Sequence, residues 1–350
     1  MTLEQLGWRG PREGLLAPGE SLGRVAVEHR DGFVLYTEAG EIPATLAGRL
    51  RHEAEAVWPA VGDWVAFRAA PDRGTIHRVL PRSGVFTRKA PGRAVAAQVV
   101  AANVDVVFLV AGLDGNFNPR RLERYLALAR EGGVDPAILL SKADLCDDPA
   151  EASGRAEAVA PGVPVHAIST VTGLGLAGLE AYFTGDRTVA LLGSSGVGKS
   201  TLINALLGRD AQHVQAVRDD GKGRHTTTHR ELILRPGGGL LIDTPGMREL
   251  QLWGGGEALG DVFSEVDEIA PRCRFRDCSH TSEPGCAVLA AVREGTLPED
   301  RLQSYHKLQG ELRYLESLQD ESARAERKRK EKELTRAAYR WLVDKRIVRR

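Results

Sequence analysis

Between residues 20 and 95 apolar and polar positions alternate over short runs, "GRVAVEH", "GFVLYT", "IPATLAGRL", "GDWVAFRAA" and "GTIHRVLPR", punctuated by Gly, Pro and Asp. A period of two marks strands that bury one face, and turn residues at this spacing predict a small all-β barrel. A five-stranded barrel of the OB type suits the pattern, and such barrels often bind oligonucleotides. The spacing is equally compatible with an SH3-like barrel.

From about residue 104 the pattern changes. "VDVVFLVAG" is a continuous apolar strand, and the helix after it places Leu122, Tyr125, Leu126 and Ala129 on one face. "PAILLS", "VPVHAIS", "TVALLG", "RELILR" and "GLLIDT" read as further strands, with helical segments between most of them. Near-continuous Val, Ile and Leu runs are buried on both faces, which predicts a mainly parallel sheet covered by helices. Past residue 255 the chain turns helical, with Leu302, Tyr305, Leu308, Leu312 and Leu315 forming one apolar stripe. The expected division is an N-terminal extension and barrel over 1–98, an α/β unit over 99–255 and an α-helical unit over 256–350.

Composition narrows the class. The 350 residues, 42% hydrophobic and 27% charged, describe an ordinary soluble protein with a full core. The formal net charge of zero conceals a basic end, where residues 322–350 hold twelve Lys or Arg against four acids. "MTLEQLGWRG" lacks the basic start and apolar run of a secretion signal. The apolar stretch 94–113 is interrupted by Gln98, Asn103 and Asp105, which predicts two buried segments rather than a membrane span. A cytoplasmic monomer without a membrane partner is expected. Three of the four cysteines fall within fourteen residues, a spacing that suits metal ligation in a reducing compartment.

The chemistry begins at "TVALLGSSGVGKSTLINALLG", an apolar strand, a glycine-rich loop and an amphipathic helix. In Gly193, Ser194, Ser195, Gly196, Val197, Gly198, Lys199, Ser200 and Thr201, the glycines allow backbone N–H groups and the helix N-terminus to face phosphates. Lys199 can bridge the β- and γ-phosphates, and the Ser200 hydroxyl can hold Mg2+. "GGLLIDTPGMREL" adds Asp243 at a strand end as a second magnesium arm and Gly246 as an N–H donor to the γ-phosphate. Between them, "DDGKGRHTTTHREL" reads as a loop ordered by magnesium and γ-phosphate. Thr228 is the expected metal ligand there, with Thr227 as the alternative and Thr226 in the same run.

"SKAD", residues 141–144, supplies base selection. Asp144 can accept from the guanine N1–H and 2-amino group while the Lys142 stem packs along the base, and adenine offers no such donor pair. Ser141 and Ala143 complete this loop, and Ser169 and Thr170 in "AIST" lie where they could support the base from its other edge. The base loop precedes the phosphate loop by about fifty residues, so the order is that of an ordinary GTPase, rotated. Binding depends on loops meeting at the carboxyl ends of parallel strands, not on chain order, and a rotation can preserve the sheet. Further on, Cys273-x4-Cys278-x-His280-x5-Cys286 offers three sulfurs and one imidazole. That set fills a tetrahedral zinc shell with no position left for water, so the site reads as structural.

Together these residues resemble the circularly permuted GTPases, and within them the ribosome small subunit-dependent GTPase A (RsgA) family. The resemblance rests on the rotated order, "GSSGVGKST", "GRHTTTH", "DTPG", the Cys3His spacing and the barrel containing "GDWV", and it covers nearly the whole chain. It implies an OB barrel, a central permuted GTPase and a C-terminal zinc domain that dock on the small ribosomal subunit and its 16S rRNA. GTP hydrolysis to GDP would be stimulated by that subunit during late maturation. One departure is Ser141, where the family's base loop usually begins with Asn, and loss of that amide is expected to weaken the bracing of the loop.

Met247 follows Gly246 where many GTPases place a water-orienting glutamine, which predicts slow intrinsic turnover. His225 is a candidate for orienting the water, or else a solvated loop histidine. For RNA, the candidates are Arg82, Arg88, Lys89 and Arg93 with the basic tail. Trp64 and Phe67 are assigned to the barrel core rather than to base stacking. Two other readings stay open: an RNA-binding adaptor that holds GTP as a sensing ligand, and a GTPase serving another RNA such as the large subunit.

Overall fold

The computed structural model describes residues 1–11, 14–29, 31–52, 57–90, 97–115, 117–208, 230–243, 250, 252, 253, 257–318, 320 and 325. In chain order its first elements are β1 (Ser21–His29), β2 (Gly32–Thr37), β3 (Gly40–Leu46), α1 (Gly48–His52), β4 (Trp64–Ala69) and β5 (Gly74–Val79). These strands close on themselves in the order β1-β2-β3-β5-β4-β1, with β3 and β5 parallel and the other neighbours antiparallel. This closed five-stranded Greek-key barrel is of the OB type. Its interior is built from Val25, Phe33, Leu35, Val65, Phe67 and Ile76. Phe67 is 1% exposed and Trp64 5% exposed, so both aromatics belong to the packing, Trp64 edge-on to Trp8 with ring centroids 5.0 Å apart.

Two short strands, β6 (Phe86–Lys89) and β7 (Ala97–Ala101), then form a separate antiparallel ribbon, and the expected boundary at 98/99 falls within it. Sequence periodicity alone did not reveal this ribbon. The α/β unit follows as β8 (Val106–Gly112), α2 (Pro119–Glu131), β9 (Asp135–Ser141), α3 (Pro149–Val159), β10 (Val165–Ala167), β11 (Thr188–Gly193), α4 (Lys199–Leu207), β12 (Arg230–Leu234) and β13 (Leu240–Asp243). Its sheet order is β10-β9-β8-β11-β13-β12, parallel except for β12 at the end. Side chains alternate between two buried faces along β8. Val107 and Leu109 face the cluster that includes α2 and α3, and Val106, Phe108 and Val110 face the cluster that includes α4. Burial on both sides explains why these strands read as unbroken apolar runs.

Barrel and sheet are joined through β1. A bulge between Val25 and Val27 bends the strand, so that its first half pairs with β4 while Val27 and Glu28 pair with Glu231 and Arg230 of β12. The junction is reinforced by Arg24, only 1% exposed, whose guanidinium donates to the carbonyls of Leu6, Gly62 and Asn103 and to Thr188 Oγ1. Burial lowers its pKa to about 10, so the charge persists at neutral pH.

The C-terminal unit carries α5 (Glu257–Val262), α6 (Ser264–Ile269), α7 (Ala287–Arg293) and a helix over residues 299–318. The predicted stripe Leu302, Tyr305, Leu308, Leu312 and Leu315 is buried. Most of it joins the same core cluster as Leu122 and Leu126 of α2. Among the described residues, no helix is long and apolar enough to cross a membrane. Of the stretch 94–113, the described part from residue 97 onward holds β7, a turn at Asn103 with φ 55°, and β8.

Candidate nucleotide and metal sites

The parallel strands β8, β9, β10, β11 and β13 end on the same edge of the sheet, which gathers the predicted loops there. At the end of β11, a Cβ on Gly193 would lie 2.5 Å from the Val110 carbonyl, so only glycine allows the loop to leave the strand here. Gly196 and Gly198 adopt φ values of 76° and 93°, in the left-handed region that favours glycine. Val197 is 2% exposed and anchors the loop in the core, while Ser194, Ser195, Ser200 and Thr201 are half-buried along its mouth. Lys199 opens α4, and its Nζ donates to the carbonyls of Gly193 and Ser194 at 2.8 and 2.7 Å. The ammonium is thereby folded over its own loop. Asp243 ends β13, beside β11, and is half-buried.

The base loop is braced against this structure. Ser141, 5% exposed, donates from Oγ to the Val197 carbonyl at 2.6 Å, with the Ala111 carbonyl at 3.2 Å. The bracing expected to suffer from the missing Asn amide is therefore made by a hydroxyl. Lys142 takes a left-handed conformation, φ 59° and ψ 38°, which turns its side chain to Asp114 just beyond β8. Ala143 N–H donates to Ile168 O at 3.0 Å and ties the base loop to "AIST". Ser169 is fully buried and accepts from the N–H groups of Val171 and Thr172, so it shapes its own turn, whereas Thr170 is half-buried. Asp144 is exposed, with no hydrogen bond among the described residues, and its carboxylate is free to accept. Asp114 was missed from sequence, although its place just past a parallel strand is where a site carboxylate would be sought. His225, Thr226, Thr227, Thr228, Gly246 and Met247 lie outside the described residues.

The second cluster is formed by Cys273, Cys278, His280 and Cys286, whose ligand atoms all lie within 4.8 Å of one another. Cys273 and Cys286 Sγ are 3.8 Å apart, and His280 Nδ1 is 3.6 and 3.5 Å from them. A tetrahedral zinc with ordinary bond lengths gives S···S edges of about 3.8 Å and N···S edges of about 3.6 Å, so Cys273, Cys286 and His280 stand at distances that suit that ion, with Cys278 Sγ within 4.8 Å of them. Burial lowers the His280 pKa, which favours the neutral imidazole that ligates metals. Peptide N–H groups of Ala287 and Leu289 point at the sulfurs of Cys273 and Cys286, each at 3.4 Å. Glu283, which sequence reasoning did not single out, accepts from the Ser279 hydroxyl and from the N–H groups of Ser279, Thr281 and Ser282. Those donors, the Ser279 hydroxyl foremost, hold its carboxyl well below the usual carboxylate range.

The candidate RNA residues fare differently. Arg82 is committed to a bidentate pair with buried Asp63, at 2.8 and 2.6 Å. Arg88 is half-buried and bonded to Gln98. The Lys89 side chain, Arg93 and nearly all of the basic tail lie outside the described residues. The exposed barrel aromatic is instead Trp58, 58% exposed beside Val57 at 51%.

Residues 79–253 match the family described as RsgA GTPase. The chain is 50% identical over 348 residues to the small ribosomal subunit biogenesis GTPase RsgA of Opitutus terrae, covering 94% of this chain and 95% of that protein. Among solved structures it is similar to YjeQ from Thermotoga maritima, with a TM-score of 0.62 and 30% identity over 84% of this chain and 98% of that one. It is also similar to YloQ, described as a circularly permuted GTPase, with a TM-score of 0.59 and 25% identity over 87% of this chain and 98% of that one.

Proposed function

The chain belongs to the RsgA GTPase family, and from that premise we propose that it hydrolyses GTP as a late maturation factor of the small ribosomal subunit, which stimulates its turnover. The observation that carries this reading is the hydrogen-bonded meeting of base loop and phosphate loop through Ser141 and Val197. In this reading Asp144 accepts from the guanine edge, Lys142 packs along the base, and Ser169 and Thr170 support its far side. The N–H groups of residues 193–201 receive the phosphates. Lys199 leaves the carbonyls of its own loop for the more strongly attracting phosphate oxygens.

Ser200, Asp243 and Thr228 would hold Mg2+, which neutralises charge on the β- and γ-oxygens. Gly246 donates to the γ-phosphate. Met247 cannot align water, so subunit-free turnover is slow, and His225 is the side chain we assign to orienting the nucleophile on the ribosome. Activators of GTPases contribute up to about five powers of ten, so the stimulation can be large. Zinc at Cys273, Cys278, His280 and Cys286 would act as a structural staple. The barrel and basic tail contact 16S rRNA, the first two units divide at the β6–β7 ribbon and the last two near residue 255, and the protein works as a cytoplasmic monomer.

GTP turnover measured with and without purified small subunits tests the proposal, with Lys199→Ala as the control for contaminating activity. Stimulation by small but not large subunits, lost in Lys199→Ala, is the expected outcome. A rate indifferent to small subunits would leave the adaptor reading in its place.

A further inference from the structure

One turn of α2 carries three arginines with different fates. Arg120 pairs with Glu123 and Asp300, and Arg124 pairs with Glu311. Arg121 has no carboxylate partner among the described residues. It is half-buried, and its Nη1 donates a 3.0 Å hydrogen bond to Ser194 Oγ in the phosphate loop. The carbonyl of the same Ser194 accepts from Lys199. Two cations therefore converge on one residue of the loop, and one of them comes from another part of the chain.

The placement of Arg121 is built rather than incidental. Asn118 caps α2 by accepting from Arg120 N–H at 2.9 Å, and Leu122 and Leu126 anchor the helix in the core. Glu123, with no exposed surface, accepts from Arg301 at 2.7 Å, which fixes α2 against the C-terminal unit. Arg124 also donates to the Leu250 carbonyl at 2.8 Å. The helix anchored from the far side thus presents Arg121 to the loop. A half-buried guanidinium usually finds a carboxylate, because an uncompensated charge is costly to desolvate. One with no carboxylate partner among the described residues, beside a phosphate-binding loop, is matched to an anionic ligand.

We propose that Arg121 is a positioning residue of the phosphate site: it fixes Ser194 and supplies a second positive charge beside the loop. This rests on the proposed nucleotide site and adds to it a residue outside every GTPase motif. GTP carries one more negative charge than GDP, so loss of the Arg121 charge weakens the triphosphate more than the diphosphate.

The test is the affinity of the full chain for fluorescent GDP and for a non-hydrolysable GTP analogue in wild type, Arg121→Met, Arg121→Gln, Arg121→Lys, Ser194→Ala and the Arg121→Met/Ser194→Ala double variant. Arg121→Met and Arg121→Gln are expected to weaken the GTP analogue about tenfold and GDP about threefold, while Arg121→Lys restores the preference for triphosphate. Arg121→Met and Ser194→Ala are expected to be non-additive, because they remove the same hydrogen bond. A purely structural role would lower both affinities equally, and that result, or additive single variants, overturns the proposal. If Arg121→Met does not fold, Arg121→Gln and Arg121→Lys decide the charge effect. A wild type that binds no guanine nucleotide sinks the proposed function itself, whereas wild-type binding with an unchanged triphosphate preference in Arg121→Gln sinks this inference alone.

Discussion

The Ser141 hydroxyl donates a 2.6 Å hydrogen bond to the Val197 carbonyl and so joins the base loop to the phosphate loop. Both residues are buried, at 5% and 2% exposure, so water does not replace the bond if it is lost. Ser141→Ala is expected to weaken GDP and GTP binding by about 1 kcal/mol, roughly fivefold, by letting the two loops move apart. Titration with a fluorescent nucleotide measures it, and an unchanged Kd would show that the brace has no bearing on affinity.

Asp144 is exposed and able to accept from a base. Asp144→Asn turns one acceptor into a donor, which opposes guanine and suits xanthine, whose C2 carries a carbonyl. GTP affinity should fall by at least about a hundredfold and XTP affinity should rise. Competition between GTP and XTP for the variant reads the swap directly; retained GTP preference would place the base elsewhere.

At the Cys3His cluster, chelation or Cys278→Ser should release the 273–286 segment and lower Tm by roughly 5 °C. The Glu283 carboxylate gathers four donors over the loop between Cys278 and Cys286. Glu283→Ala should therefore hasten loss of the metal to a colorimetric chelator while leaving the sulfur ligands in place. Equal release rates in wild type and variant would count against a bracing role.

Arg24 holds together the N-terminal segment, the barrel and the start of β11. Arg24→Met removes the donors to the Leu6 and Asn103 carbonyls and to Thr188 Oγ1, leaving the Gly62 carbonyl to Asn103 Nδ2, and is expected to cost about 3 kcal/mol. Thermal unfolding, together with cleavage near residues 1–11 under limited proteolysis, gives the readout. A variant as stable and as resistant as wild type would show that the junction relies on apolar contacts alone.

Trp58 presents a large ring to solvent on the barrel. If the barrel meets rRNA, Trp58→Ala should weaken binding to small subunits by about 1–2 kcal/mol, roughly five- to thirtyfold, and leave subunit-free turnover unchanged. Co-sedimentation with the GTP analogue separates these outcomes, and undiminished binding would remove Trp58 from the interface.

Much of this architecture was legible along the chain. The strand "GFVLYT" coincides with β2, the apolar runs of the α/β unit recur as β8, β9, β11 and β13, and the Leu302–Leu315 stripe is buried. Those elements obey local rules, a period of two or 3.6 and a run buried on both faces, so residues near in sequence carry the signal. The β6–β7 ribbon escaped because four- and five-residue strands hold too little periodicity, and their paired residues lie eight or more positions apart. Arg82 illustrates a second limit: its charge was visible, but its capture by buried Asp63 was not.

By itself the sequence determined which side chains could do chemistry: a glycine-rich loop with its lysine, a carboxylate after Lys142, and four groups of metal-ligating type at a spacing that lets them gather. Only the tertiary structure decided which of them touch. It gave Ser141 the brace expected of an amide, turned Lys142 toward Asp114, paired Arg82 with buried Asp63 and brought Arg121 to the phosphate loop. The reason is physical: side-chain type is a property of one residue, whereas a hydrogen bond between residues 73 positions apart exists only after sheet and helices have packed.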